Sequence, residues 1–485
     1  MRRSKHSLSH YRLLSCNFGH LVPCGLVEVL PGDTFQHRTS ALIRLSPLVA
    51  PVMHPVHIRI HHWFVPMRLL WDEWEQFITG DVDNTNFPTI TLDGQGDTLL
   101  DYLGVPNTVS NLTVNAMPVR AYNMIFNEWY RDQDLGTVRT PDQTGMPQVN
   151  WGKDYFTSAR PWPQKGEDVT LPLGTQAPVK GIGGRATSPW DQVAQTAYET
   201  GGGQRVYPSG QETADVPTGQ SLIVEEDPLN PGYPFIYADL QDATAVNVNT
   251  VRAAFALQRY QEARARYGSR YTEYLAYLGV RSSDARLQRP EYLGGGRQTV
   301  AFSEVLQTAP DSTTTTNVGE LKGHGIAAVR SRRYRRFFEE HGYVLSLMSI
   351  RPKSIYTTAV ERLWYRNTKE DFWQRELEHI GQQAVPDKEI YANSEVPETV
   401  FGWVDRYREY REARSMVSGE FRSLLDYWHL SREFTQAPTL NQSFVQCNPS
   451  KRIFAEQTQD SVYAMVSHSL QARRMVSRSA AGRII

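Results

Sequence analysis

The sequence is poor in cysteine and carries almost no net charge. Its 485 residues include only Cys16, Cys24 and Cys447. An odd number of cysteines without Cys-x-x-Cys spacing argues against a disulfide framework and against a zinc module, and it favours a reducing compartment. The 51 basic and 52 acidic side chains give a net charge of −1, so any polyanionic partner has to be bound by a local basic patch.

Long apolar runs and catalytic motifs are missing as well. No stretch reaches the length of a membrane span, and the N-terminal MRRSKHSLSHYRLL lacks the apolar core of a signal peptide. The phosphate-binding loop, the Gly-x-Ser-x-Gly elbow and the His-Glu-x-x-His helix are absent, and GHGIAA from Gly323 is a lone match to a dinucleotide turn. We therefore predict a chain that is made in a cytosol, is not inserted in a membrane, is not an enzyme, and binds neither a cofactor nor a metal ion.

Apolar and aromatic side chains are abundant instead. Hydrophobic residues make up 40% and aromatic residues 11% of the chain. This content is sufficient for a sizeable core, and it suits protein–protein contacts, where tyrosine, tryptophan and arginine are enriched. Residues 21–65 predict successive strands, because short apolar runs alternate with proline and glycine turns. The run GYVLSLMSIRP at 342–352 is typical of a buried strand.

The segment PVMHPVHIRIHHWFVP at 51–66 alternates with the period of a strand. The alternation places His62 on one face among aliphatic side chains, and His57, Arg59 and His61 on the other face. The second set permits two interpretations, a metal site or a polar strand face that meets another subunit or a ligand. A cation between two histidines opposes a divalent ion, and no cysteine or aspartate completes a ligand set, so the polar face is favoured.

Beyond Pro66 the apolar period becomes helical, and the spacing predicts a helix that ends near Gly80. Further helices are predicted around RAYNMIFNEWYRDQ and over NTVRAAFALQRYQEARARYG. The segment DFWQRELEHIG reads either as a short helix or as an irregular aromatic segment. Residues 171–245 are rich in glycine, proline and threonine, which is typical of a functional insertion or of disorder.

The densest basic segment is RSRRYRRFF at 330–338. Arginines that neutralise phosphates beside aromatic rings suit single-stranded nucleic acid. The alternative is a solvated loop or an ion-pair patch between subunits, because Glu339 and Glu340 follow directly. Smaller basic groups in MRRSK and QARRMVSRSAAGRII, at the two termini, are predicted to be mobile.

Several sequence runs resemble a known family, and they occur in the same order as in that family. They are SLSHYRLLSCNFGHLVPCGLVEVLPGDTF, APVMHPVHIRIHHWFVPMRLLWDEWEQFITG, DYFTSARPWPQKG, RYTEYLAYLGVRSSDARLQRPEYLGGG, EEHGYVLSLMSIRP, HIGQQAVPDKEIYA and LLDYWHLSREFTQAPTLNQSFVQCNP. These runs closely resemble the major capsid proteins of the Microviridae, small single-stranded DNA phages, and the gokushovirus-like branch fits best. The resemblance extends from residue 7 to about residue 450, and residues 171–245 and the tail depart from the pattern.

The resemblance implies a mainly β fold, an eight-stranded antiparallel jelly roll with long interstrand insertions that contain short helices. It implies one capsid domain over residues 1–485, with an N-terminal arm at 1–20 and an inserted surface loop at 171–245 as a candidate outer protrusion. It further implies self-assembly in the host cytoplasm, as sixty copies in a T=1 icosahedral shell around a circular single-stranded DNA genome. The implied partners are other copies of the chain, the genome, a small basic DNA-binding phage protein, scaffolding or other structural proteins, and a host receptor.

Within such a shell the arginine run is the candidate DNA-binding site, with the tyrosine as a stacking group. Its members are Arg330, Arg332, Arg333, Tyr334, Arg335 and Arg336. Four aromatic residues, Trp63, Trp71, Trp74 and Phe77, are candidates for packing between chain segments and subunits. Two alternatives from other classes remain open, a cellular β-sandwich protein that binds nucleic acid and a phage spike or tail protein.

Overall fold

Antiparallel strands dominate the chain. In the computed structural model the described residues are 3–79, 87–92, 98–106, 109–167, 169, 179–180, 182–185, 195–198, 204–207, 221–224, 237–238, 248–267, 271–279, 288–308 and 318–477. The strands are β1 Ser4–Ser7, β2 His10–Cys16, β3 Leu21–Val29, β4 Thr34–Leu45, β5 Val56–Pro66, β6 Thr89–Thr91, β7 Thr113–Asn115, β8 Val179–Lys180, β9 Ile182–Arg185, β10 Gln195–Tyr198, β11 Gln204–Tyr207, β12 Ser221–Val224, β13 Tyr237–Ala238, β14 Glu291–Thr299, β15 Ala301–Leu306, β16 Leu321–Arg330, β17 Tyr334–Phe337, β18 Gly342–Pro352, β19 Gln382–Pro386, β20 Val400–Asp405 and β21 Val462–Arg474.

The helices are few and mostly short. They are α1 Trp74–Thr79, α2 Thr98–Leu103, α3 Met117–Ile125, α4 Val248–Tyr267, α5 Tyr271–Tyr277, α6 Asp387–Ile390 and α7 Gln442–Val445. A π-helical turn over Phe126–Tyr130 continues α3. No helix among the described residues has the length and apolar character needed to cross a membrane.

The first sheet is centred on β4 and β21, which pair antiparallel from Thr34↔Arg473 to Leu45↔Val462. Its order is β1-β21-β4-β16-β15, with β2 also paired to β21 and β17 also paired to β4. Side chains of β21 alternate between buried and exposed along most of its length. This alternation is what a strand with one face on the core requires.

The second sheet has the order β14-β5-β18-β3 and is antiparallel throughout. Its central strand β18 is buried at nearly every position, so the prediction of a buried strand at 342–352 is confirmed. On β5, Ile60, His62 and Phe64 are fully buried, whereas Arg59 and His61 are partly exposed. The predicted division of this strand into two faces is therefore confirmed.

The main core lies between the two sheets. Aliphatic residues of the first sheet, among them Ile43 and Val466, form one apolar cluster with Ile58, Ile60 and Met348 of the second sheet. A further cluster covers the other face of the second sheet beneath α2 and α3. The three cysteines are buried and unpaired, as the sequence predicts.

One local prediction is wrong in detail. The helix predicted after Pro66 is broken into a 3-10 turn over Met67–Leu69 and the six-residue α1, because Met67, Leu70 and Trp71 all enter one apolar cluster and these contacts decide the path. Gly80 lies outside the described residues. The helices predicted around RAYNMIFNEWYRDQ and NTVRAAFALQRYQEARARYG are confirmed as α3 with its π-helical turn and as α4.

The described residues near both termini belong to strands of the first sheet. Residues Ser4–Ser7 and His10–Cys16, within the segment predicted as an arm at 1–20, form β1 and β2 along one edge of β21. The start of the C-terminal basic segment belongs to β21, where Leu470 and Ala472 are fully buried. Backbone pairing with β21 therefore holds the described N-terminal residues, and buried apolar side chains hold the described start of the C-terminal basic segment, where the sequence predicts mobility.

The chain divides into two compact units, residues 1–165 with 262–485, and residues 166–261. Both sheets belong to the first unit. In the second unit the described strands form three antiparallel pairs, β10 with β11, β9 with β12, and β8 with β13. The insertion predicted at 171–245 falls here, and most of it lies outside the described residues.

Trp71→Ala should lower the free energy of unfolding by about 3–5 kcal/mol, because it empties a large volume in the cluster beneath α2 and α3. The wild-type ring is 9% exposed and contacts Phe77 with 5.3 Å between ring centroids. Urea titration of the purified chain measures the change. Trp364→Ala is the matched control, because that ring is 75% exposed, and its effect should stay within about 0.5 kcal/mol. Equal losses in both variants would contradict the assignment of Trp71 to the core.

Candidate functional site

The arginine run occupies the end of β16, a short turn and β17. Arg330 is the last residue of β16 and is exposed, Ser331 is buried, and Arg332 and Arg333 are exposed in the turn. Strand β17 then pairs with β4, with Arg335 opposite Gln36. All five arginines of the run are thus exposed, with Arg335 and Arg336 on opposite faces of β17.

The acidic residues that follow the run do not neutralise it within the chain. Glu340 pairs with Arg68 at 2.7 Å, from Nε to Oε2. Within the described part of the chain, Arg336 is the one member of the run with an ion pair, at 3.1 Å from Glu291. The cations also act on a neighbour, since burial and the charges of Arg330 and Arg333 lower the pKa of Arg38 on β4.

Tyr334 does not share the exposure of these arginines. Its hydroxyl lies 3.1 Å from His37 Nδ1, and its ring packs against His37 and His62. Burial raises the pKa of the hydroxyl. Strand alternation turns the ring toward the interior of the sheets, and its predicted stacking on bases stays a prediction.

Tyr334 belongs to a buried histidine cluster between the sheets. His37 Nε2 on β4 lies 3.1 Å from His468 Nδ1 on β21, and Thr39 Oγ1 lies 2.9 Å from the same His468 nitrogen. From the second sheet, His62 Nε2 lies 3.1 Å from Ser331 Oγ. The cluster separates two apolar clusters of the core and links both sheets with polar contacts.

Burial determines the charge state of this cluster. Desolvation, assisted by neighbouring histidines, lowers the pKa of His37 to about 2, of His62 to about 3 and of His468 to about 4. The rings are therefore neutral at neutral pH, and their nitrogens take part in hydrogen bonds with one another and with Thr39, Ser331 and Tyr334. No group of three or more histidine, cysteine or carboxylate side chains among the described residues has the arrangement of a metal site.

The other histidines of β5 are also engaged in hydrogen bonds. His57 Nδ1 lies 3.2 Å from Thr299 Oγ1, and His61 Nδ1 lies 2.7 Å from the Tyr130 hydroxyl. Because each ring nitrogen points to a different partner, the two histidines do not converge on one ion. This arrangement agrees with the polar-face interpretation of the strand.

The four aromatic residues predicted to pack are mostly inside the chain. Trp63 is buried and donates a hydrogen bond to the Tyr130 hydroxyl at 3.2 Å. Trp71, Trp74 and Phe77 contact one another, with centroid distances of 5.3 Å and 5.8 Å to the Phe77 ring. Contacts between chain segments account for these residues, and a role between subunits stays a prediction.

A different aromatic region is exposed. We call it the 363–380 surface, and it includes Trp364 at 75%, Phe372 at 51%, Trp373 at 50% and Ile380 at 60% exposure. Large exposed apolar patches mark interaction surfaces in soluble proteins. The sequence signal was present in DFWQRELEHIG, which is aromatic without helical periodicity, but it did not reveal exposure.

Comparison with known proteins gives one consistent result. The family model described as capsid protein (F protein) matches residues 1–482. The chain is 37% identical to capsid protein VP1 of Bdellovibrio phage phiMH2K, over 92% of this chain and 88% of the relative. It is 34% identical to capsid protein VP1 of Chlamydia phage 1, over 92% and 90%. Identity to capsid protein VP1 of Spiroplasma virus 4 is 30%, over 92% and 87%.

The buried histidine cluster should make stability fall as the pH falls. The folded-state pKa values lie below the ordinary value of 6.5, so the unfolded chain takes up protons first. The contribution of the neutral rings is complete above pH 6.5 and is lost as the pH falls toward 4 and below. Each histidine removes up to about 1.4 kcal/mol per pH unit in this window. Urea unfolding at pH 7, 6, 5 and 4 measures the slope.

His62→Asn should reduce that slope, because it removes one titrating group. His324→Gln, at an exposed position of β16, should leave the slope unchanged. Stability that stays level between pH 7 and pH 4 in the wild type would refute the role of the cluster.

Proposed function

The chain belongs to the capsid protein (F protein) family, and from this premise we propose that sixty copies form a T=1 icosahedral shell around a circular single-stranded DNA genome. As a Microviridae major capsid protein it is a structural component of a phage virion, and membership implies self-assembly into a capsid. The observation that carries the proposal is family membership over residues 1–482, combined with two antiparallel sheets around one core. Neither a cellular nucleic-acid-binding protein nor a spike or tail protein has comparable support.

We assign the fold as an eight-stranded jelly roll. Taken in chain order, β2, β3, β4, β5, β14, β16, β18 and β21 pair first with last, second with seventh, third with sixth and fourth with fifth. Such nested pairing is that of one long antiparallel ribbon rolled around a core, which is the jelly-roll plan of many capsid domains. Strands β1, β15 and β17 are additional strands of the first sheet. Strand β1 pairs with β21, β15 pairs with β16, and β17 pairs with β4.

The 363–380 surface is proposed as a contact between copies. Tryptophan rings that lie exposed in the single chain supply apolar area, and Arg366 stacks on the Tyr410 ring at 4.3 Å from its centroid beside them. Buried tryptophan, tyrosine and arginine side chains dominate the binding energy of many interfaces. Because capsid proteins of this family self-assemble, the proposed binding partner of this surface is a second copy of the chain.

The arginine run is proposed to contact the genome. Four of its members lack an ion pair among the described residues, and Glu340 is engaged by Arg68 instead. Unpaired exposed arginines are the groups that displace counterions from phosphates. The proposed binding residues are Arg330, Arg332, Arg333, Arg335 and Arg336, and stacking of the partly buried Tyr334 on bases stays a prediction. Other proposed partners are a small basic phage protein and scaffolding proteins, with assembly in the host cytoplasm.

The insertion at 171–245 is proposed as an outer protrusion used in host attachment. Its glycine, proline and threonine content suits an exposed recognition loop, and residues 166–261 cluster as a separate unit. Replacing residues 180–235 by a short linker should leave shells intact and reduce adsorption to host cells, measured by loss of free particles from the medium. Failure to form shells would place the segment in the wall.

Electron microscopy of the purified chain should show uniform spherical particles, and fibres or monomers would refute the proposed shell.

Trp364→Ser with Trp373→Ser should reduce particle yield at least about tenfold, because loss of one large interface side chain costs 2 kcal/mol or more. The same variant should keep the wild-type urea midpoint. Trp364→Phe with Trp373→Phe, which retains aromatic area, should recover most of the particles. Wild-type yield from the serine variant would exclude this surface from assembly.

Changing Arg332, Arg333, Arg335 and Arg336 to glutamine should give intact shells with less nuclease-protected DNA, because phosphate contacts are lost. DNA recovered per particle after nuclease treatment is the measurement. The same positions changed to lysine keep the charge and should retain the DNA. Defective shells from the glutamine variant would instead assign these arginines to subunit contacts, and intact shells with a full DNA load would exclude both roles.

A further inference from the structure

A polar pocket of about 420 Å³ lies on the outer face of the second sheet. Arg59 of β5 and Ser349 and Arg351 of β18 line it, on the side opposite the core. Tyr130 and Trp129 contribute aromatic walls, and the Trp129 ring is 38% exposed. The volume is in the range of pockets that bind small molecules.

Arg59 and Arg351 line the pocket, and Arg297 lies beside them on the neighbouring strand β14. Arg59 stands directly opposite Arg297 of β14 in the antiparallel register, and Arg351 of β18 is paired with His57, two residues before Arg59. Like charges in directly opposed positions destabilise a sheet. None of the three arginines forms an ion pair with any described residue. Within the described part of the chain, the one hydrogen bond from their side chains runs from Arg351 Nη1 to the Asn150 carbonyl, at 2.6 Å.

Burial and this concentration of positive charge together lower the pKa values of neighbouring side chains. Burial comes first among the causes that lower the pKa of His61, to about 4, and the charges of Arg59 and Arg351 follow. The pKa of His57 is lowered by burial and then by Arg297, Arg59 and Arg351. The pKa of Arg351 is itself lowered by burial and by the charge of Arg59.

Carboxylates in the pocket wall do not cancel these charges. Asp132 is held by Lys153 at 2.6 Å, and Asp134 is held by Arg160 at 3.0 Å and by Lys165 at 2.9 Å. The remaining acidic side chain of the pocket, Glu273, has a partner of its own. Asp132 and Asp134 are therefore engaged by other cations, whereas the three arginines on the sheet have no ion pair among the described residues.

We propose that Arg59, Arg297 and Arg351 bind a phosphate group, carried by a nucleotide or present as free phosphate. Guanidinium groups bind phosphate oxygens in bidentate geometry, and a doubly charged anion relieves the repulsion among three cations. The Trp129 ring beside the pocket is already contacted by Trp63, at 4.9 Å between ring centroids, and by the Arg289 guanidinium at 5.0 Å, so the phosphate group is the part of the ligand that is recognised. The site borders the arginine run, since the Arg332 amide donates a hydrogen bond to the Gly295 carbonyl of β14 at 3.0 Å, and its test does not require shell formation.

Binding is measured on the purified chain with three probes at matched ionic strength: inorganic phosphate, thymidine monophosphate and a short thymidine oligonucleotide. Phosphate should raise the melting temperature of the wild type above that in chloride. Arg59→Gln and Arg297→Gln should each weaken binding by about tenfold, because each removes a charged hydrogen bond to the anion. Both variants should also melt at a higher temperature than the wild type in chloride, since the opposed charges are removed.

Arg44→Gln is the matched control, an exposed arginine on β4 of the other sheet, and it should bind like the wild type. Tighter binding of either thymidine probe than of inorganic phosphate identifies a nucleotide as the source, and equal affinity identifies free phosphate. Absence of a phosphate effect on the wild type would overturn the proposal. Wild-type affinity in Arg59→Gln and Arg297→Gln, or an equal loss in Arg44→Gln, would overturn it as well. Because no assembled particle is needed, these results do not depend on the proposed shell.

Discussion

The antiparallel pairing of β4 with β21 is the constraint on which the rest of the structure depends. It joins residues 34–45 to residues 462–473, close to the two ends of the chain. Strands β1 and β2 add to the free edge of β21, and β16 and β17 add to the free edge of β4. Once this pairing closes, long excursions between strands change the fold little, because the entropy of closing a loop grows only slowly with its length. His57 and Thr299 thus face each other across β5 and β14 although 242 residues separate them.

The same pairing places polar and charged residues on opposite faces. His37 and Thr39 point into the core on β4, and Arg38 between them reaches the solvent side beside Arg330 and Arg333. A polar layer inside a core is tolerated when its members satisfy one another's hydrogen bonds. The histidine cluster meets this requirement with partners from both sheets, and it supplies directional contacts that an apolar layer lacks. The alternation of side chains along β4 therefore places polar core residues on one face of the strand and charged residues on the other.

Local patterns in the sequence were sufficient to predict individual strands and the family, but not the orientation and exposure of several side chains. Alternation assigned both faces of β5, the apolar run 342–352 identified β18, and the resemblance in ordered runs identified the family. The orientation of Tyr334 was missed, because it depends on pairing with His37 of a distant strand. The opposition of Arg59 and Arg297 was invisible for the same reason, since register between distant strands is a tertiary property. Exposure of Trp364 was missed because aromatic residues usually indicate a core.

A neutral chain with unbalanced local charge is suited to assembly around a polyanion. Copies with a large net charge repel one another as they approach, whereas a net charge of −1 adds little repulsion to each new contact. Attraction to phosphates then has to come from positions where arginines outnumber nearby acids. The described residues provide two such positions, the run at the end of β16 and the triad on β5, β14 and β18, on different sheets. In both, acids close in sequence or in space are engaged by other cations: Glu340 by Arg68, and Asp132 by Lys153. Because these acids are held elsewhere, most arginines of both groups have no ion pair among the described residues although the chain as a whole is nearly neutral.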